Sequence, residues 1–293
     1  MKKLFSLALA FIMTMSLAAP AAATSQETEQ PKFTVTAPTF PDAYILTEYT
    51  PAFQYMDGTS GSLGSVSATV FVEESYNEVD GEIVVTDSRL LSESEVLAIG
   101  IDNFENLNTV ATPRAATNTR GRLTITFSGV YNTRNGVSCD LTGTAHWDNS
   151  GLTFPGENYC ATGEDFIGVT WSGAFTSKSH SISGTDQLGG ALTIYNSDST
   201  PNAGRVWSFK DSVPLSKYTL YAKDINLNVN ISKNTLTGDG NTAEAVLKYI
   251  HTYSQVKGSI SITPGSEKTT GSFSLSNTDK QWPLVCTVTD IPF

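Results

Sequence analysis

Three histidines and three cysteines carry most of the reactive chemistry available to this 293-residue chain, and their spacing narrows what that chemistry is. His146 is the leading catalytic candidate. Asp148, Glu157, Glu164 and Asp165 follow it at short range, supplying the carboxylates that orient an imidazole acting as general base. The same stretch holds Trp147 and Tyr159, aromatic side chains that can stack on a sugar ring and are therefore the candidate ligand contacts. His180 and His251 stand far from His146 and from each other, so the local spacing of a zinc site is absent. Read as strands, the polar face that carries His146 also carries Asp140, Thr142 and Thr144, while Trp147 points the other way. His251 falls with Leu247, Tyr249 and Tyr253 on an apolar face, which makes it a structural histidine.

Motifs with a built-in mechanism are missing. The chain has no G-x-S-x-G nucleophile elbow, no H-E-x-x-H, no C-x-x-C and no EF-hand loop. A glycosidase needs two carboxyls facing one another across the substrate. Here the acids beyond residue 113 sit mostly at turns: Asp148, Asp198, Asp239, Glu267 and Asp279. Turn acids such as Asp239 in the Gly238–Asn241 turn offer oxygen ligands that calcium could use, although Gly, Asp and Asn form plain turns unaided. No other cofactor or metal is expected. Cys139 and Cys160 are the expected disulfide of an exported protein, and Cys286, in an alternating PLVCTV run, is expected to be a buried free thiol.

These residues have to be placed by a scaffold. Residues 1–23 combine Lys2 and Lys3, an apolar run and an Ala-x-Ala exit, the pattern of a secretory signal peptide. A secreted or extracellular protein is expected, with no integral membrane segment after signal removal. The net charge is −11, and it becomes −13 once Lys2 and Lys3 leave. From residue 24 to 113 there are fifteen acids and two bases; from 114 to 293 acids and bases are equal at fourteen each. An acidic surface repels phosphate, which argues against nucleic acid as a partner.

Residues 24–40 are polar and Pro-containing and read as an extended leader. Residues 41–111 read as a small acidic α+β domain, with a helix near 92–104 opened by a Ser92/Glu95 capping box and burying Leu97, Ile101 and Phe104. Residues 112–121 read as a linker. From 122 to 293, about ten alternating segments separated by Gly, Asn and Asp turns predict an all-β antiparallel sandwich. Such a scaffold, with polar loops and no catalytic motif, suits a secreted or surface-associated binding protein whose partner is an extracellular glycan or protein. The alternative is an extracellular hydrolase of polysaccharide or peptide built on His146.

Overall fold

The computed structural model describes residues 31–292 except 57–58, 80–81, 105–116, 133–136, 149–153, 156–159, 162, 216–217, 234–241, 254–257 and 277–278. The signal segment, most of the leader and the Gly238–Asn241 turn lie outside the described residues, as do Glu157 and Tyr159.

The chain is mainly β and its sheets are antiparallel. The larger sheet runs Phe175–Asp186, Tyr218–Lys233, Ser138–Asp148, Thr117–Asn132, Ser60–Val79, Glu82–Leu90 and the short Cys160–Ala161, the last pair being parallel. Ile45–Thr50 and Phe53–Gln54 add to the free side of Ser60–Val79. The smaller sheet runs Lys32–Thr36, Gln281–Pro292, Thr242–Thr252, Glu164–Trp171, Gly204–Lys210 and Ile194–Thr200.

Alternation explains why these segments pair and which way they face. In Ser138–Asp148 the buried residues are Cys139, Leu141, Gly143, Ala145 and Trp147, and those between them face outward. A two-residue period of this kind buries one face and solvates the other. The inner faces of both sheets meet in one core, where Val66, Ile125, Leu141 and Leu227 of the larger sheet join Val169, Leu247, Leu284 and Cys286 of the smaller. This face-to-face packing is that of a β-sandwich.

Two satellite clusters cover outer surfaces. The hairpin Ile260–Thr263/Ser272–Leu275 sets Phe273 and Leu275 against Phe166, Val206 and Ile250 on the back of the smaller sheet. The helix Glu93–Ile99 and the 3-10 turn Ile101–Phe104 pack Val96 and Phe104 on Phe71 and Leu91. The capping box is present, and Gly100 ends the helix at φ 87°, a conformation glycine adopts without strain. Of the three residues expected inward, Phe104 is buried and Ile101 packs partly buried against the cluster, but Leu97 is exposed and Val96 is buried in its place.

A separate acidic α+β unit is not what the pairing shows. Ser60–Val79 pairs with Thr117–Asn132 from Ser60↔Asn132 to Tyr76↔Thr117, so the strands between Ile45 and Leu90 share one sheet and one core with the strands that follow. Residues 117–121 of the expected linker are part of that strand. Lys32–Thr36 of the expected leader is also a strand, paired with Gln281–Pro292. No helix among the described residues is long and apolar enough to cross a membrane.

Candidate functional site

The structure divides the sequence-derived candidates between two places. The first is the outer face of the larger sheet. Cross-strand register, not proximity in the chain, decides His146's partner. His146 lies opposite Asp224, and its Nδ1 is 2.6 Å from Asp224 Oδ1. Thr185 completes the rung at 3.5 Å from Asp224 Oδ2. The acids expected from the 148–165 stretch go elsewhere. Asp148 pairs with Arg122, Glu164 offers its backbone carbonyl to Thr252 Oγ1 at 2.9 Å, and Asp165 is fully buried on the other side of the sandwich. Trp147 is buried as well, so it presents no ring to a ligand.

Beside His146, the outer face is made of rows of small polar side chains in register. Ser67, Thr126, Thr144, Asn226 and Ser183 form one rung across five strands; Ser65, Ser128, Thr142, Asn228 and Ser181 form another. Neighbours bond along the rungs: Ser67–Thr126 at 3.0 Å, Thr69–Thr124 at 2.8 Å, Asn228–Thr142 at 3.2 Å and Asn230–Asp140 at 2.8 Å. At one corner Phe53 and Tyr55 are about half exposed, with their rings edge to face at 5.1 Å. Phe53 lies on the rung of Ser62 and the exposed Val130. Gly64, at φ 81°, makes this corner possible, since a Cβ there would come within 2.3 Å of the Thr50 carbonyl oxygen.

The second place is a polar cluster inside the sandwich, centred on His251. Its ring is fully buried between two carboxylates: Nε2 is 2.9 Å from Glu74 Oε1 and Nδ1 is 3.0 Å from Asp165 Oδ2. Asp211 Oδ2 lies 4.0 Å from Nδ1 and accepts a bond from the Tyr221 hydroxyl at 3.3 Å. Asp165 also accepts from the Tyr249 hydroxyl and, at 2.9 Å, from the backbone N–H of Thr252. Tyr249 in turn accepts the Trp147 indole N–H at 2.8 Å. The rings of Trp282 and Trp147 close the cluster at 4.9 and 5.4 Å from the imidazole.

Low dielectric governs the charges here. Burial alone would push the His251 imidazole down, but Asp165 and Glu74 outweigh it and hold it well above the usual histidine range. Burial, and then the Asp165 charge, push Asp211 well above the usual carboxylate range. Burial likewise keeps Tyr221 and Tyr249 protonated, as donors. One donor atom each from Asp165, Asp211 and His251 lies within 4.8 Å of the others, a set able to hold a cation.

Sequence reading placed Asp165 among the candidates but joined it to the wrong histidine. It passed over Glu74, Asp211, Tyr221 and Tyr249. The available signal was the alternation of 245–251, which turns His251 inward with Tyr249 and so requires a buried partner for its ring nitrogens.

The expected Cys139–Cys160 disulfide is not formed: Cys139 and Cys286 are both buried free thiols. Register explains why. Cys139 is opposite Tyr131, which is opposite Gly61, whereas Cys160 is opposite Ile83, which is opposite Glu78. The two cysteines therefore sit four strands apart and at opposite ends of Ser60–Val79, tens of ångströms beyond the reach of a disulfide. Burial pushes the Cys286 thiol up to about 12 and Cys139 further still, so neither is a nucleophile.

No family model matches this chain, and no curated protein matches its sequence.

Proposed function

We propose that this is an exported, non-catalytic binding protein that engages an extracellular glycan through the outer face of its larger sheet. The observation that carries the reading is the pair of in-register Ser/Thr/Asn rungs next to the exposed Phe53–Tyr55 corner. Hydroxyls and amides on a flat sheet can exchange hydrogen bonds with sugar hydroxyls, and an exposed aromatic edge gives the apolar face of a sugar ring something to rest on. The acidic balance of the chain argues against nucleic acid, and residues 1–23 supply the export address. The cluster around His251 is closed to solvent, so it serves the interior and not a substrate. The hydrolase alternative has one specific feature in its favour, the half-exposed His146–Asp224 pair.

The test is retention of the purified chain on immobilised glycans and cell-wall polysaccharides, run beside a hydrolase screen on the same materials. Retention without product, reduced at least tenfold in a Phe53→Ala/Tyr55→Ala double variant that keeps its circular dichroism, is the expected result. Turnover abolished by His146→Ala establishes the hydrolase instead. Retention unchanged in the double variant removes this face from consideration.

A further inference from the structure

The geometry points to a structural metal site inside the sandwich: Asp165, Asp211 and His251 Nδ1 hold one divalent transition cation of the zinc class, with Glu74 fixing the imidazole from behind. Independently of the glycan reading, four observations converge on it. The first is spacing. A tetrahedral ion with bonds of about 2.0–2.1 Å sets its ligand atoms roughly 3.3 Å apart. His251 Nδ1 lies 3.0 Å from Asp165 Oδ2 and 4.0 Å from Asp211 Oδ2, values that bracket this edge.

The second is orientation. His251 Nε2 lies 2.9 Å from Glu74 Oε1, which turns Nδ1 toward the two aspartates. A carboxylate behind a histidine is the usual device for orienting a metal ligand.

The third is an orphan. Glu74 is almost wholly buried, and its Oε2 has no hydrogen-bond partner among the described residues. An unmatched buried anionic oxygen costs several kcal/mol unless positive charge is near.

The fourth is donor chemistry. One imidazole with carboxylate oxygens suits zinc or manganese; calcium takes oxygen ligands alone, and six to eight of them. Asp165 and His251 come from adjacent strands of the smaller sheet, Asp211 from the residue after Gly204–Lys210, and Glu74 from the larger sheet. The ion would therefore pin the two layers together.

The test uses the full-length protein. Metal content is measured by elemental analysis as purified and after dialysis against chelator, and thermal unfolding of the stripped protein is followed on adding Zn2+, Mn2+ or Ca2+. About one equivalent of Zn2+ or Mn2+, with a Tm rise of several degrees on reloading, is expected. Asp211→Asn, which keeps the shape, should lose both, while His146→Ala, which removes a half-exposed histidine on the outer face, should lose neither. If Asp211→Asn does not fold, Co2+ substitution of the wild type gives a second readout, the visible absorption of a tetrahedral site. No stoichiometric metal and no Tm response overturns the inference. So does a response to Ca2+ alone, or one that survives Asp211→Asn.

Discussion

Tyr249 shows how one side chain serves both the core and the buried cluster. Its ring is fully buried among the apolar residues of the sandwich, and its hydroxyl joins Trp147, from one sheet, to Asp165, in the other. Tyr249→Phe removes an acceptor from the Trp147 N–H and a donor from Asp165 without opening a cavity. Leaving a buried polar group unpaired costs about 1–3 kcal/mol. The free energy of unfolding in urea should therefore drop by that amount, seen as a lower midpoint with the slope unchanged; a loss under about 0.5 kcal/mol would mean that the network is not held together by this hydroxyl. What was legible at this scale was face, not partner. The alternation around His146 puts it outward and Trp147 inward, as the structure does. Asp224 lies 78 residues from His146, and Glu74 lies 177 residues from His251. The first partner is set by register across a sheet and the second by packing between sheets, long-range properties that no local window of sequence contains.

Elements were legible wherever an alternating run met turn residues, which covers most of both sheets. Phe175–Asp186 escaped because its run TSKSHSISGTD has almost no apolar residues to mark a buried face, while Thr117–Gly121 was read as linker because it is small and basic. The helix was found by its cap, and the cap also gives it a pH dependence. Glu95 accepts the Ser92 backbone N–H at 2.9 Å and pairs with Arg89. The Ser92 N–H first, and then Arg89, hold its carboxyl down at about 2, against an ordinary 4.5. A folded-state pKa below the unfolded one stabilises the protein above the unfolded value and is lost as pH falls through the folded one. Glu95→Gln should accordingly lower Tm at neutral pH. The difference from wild type should narrow below pH 4.5 and vanish near pH 2. A constant difference across that range would assign the effect to packing instead of charge.

At the scale of the whole molecule, the uneven charge of the sequence suggested two separable parts, an acidic first third and a neutral remainder. The structure joins them through the long pairing of Ser60–Val79 with Thr117–Asn132, through a shared core, and through charge itself. Arg120 reaches back to Glu73 at 3.1 Å, and Glu73 is also held by Arg89 at 2.8 Å, so the arginines that looked like a joint are in part counterions of the acidic segment. Net charge is a statement about solubility and association, not about fold, which is why its boundary did not mark a domain boundary. The consequence is testable by cutting the chain between residues 105 and 116 at an inserted protease site. The cut breaks one peptide bond and leaves the ladder from Ser60↔Asn132 to Tyr76↔Thr117 in place, and Glu74 stays against His251 across the gap between sheets. Two bands on a denaturing gel should co-elute as one particle under native conditions and unfold in a single urea transition. The fragment from 117 onward, expressed alone, would strip Ser60–Val79 from the strand carrying Ile125 and Phe127 and leave His251 Nε2 without Glu74, so it should aggregate or remain unfolded. Separation of the two nicked pieces into independently folded species would restore the reading of the acidic segment as a domain of its own.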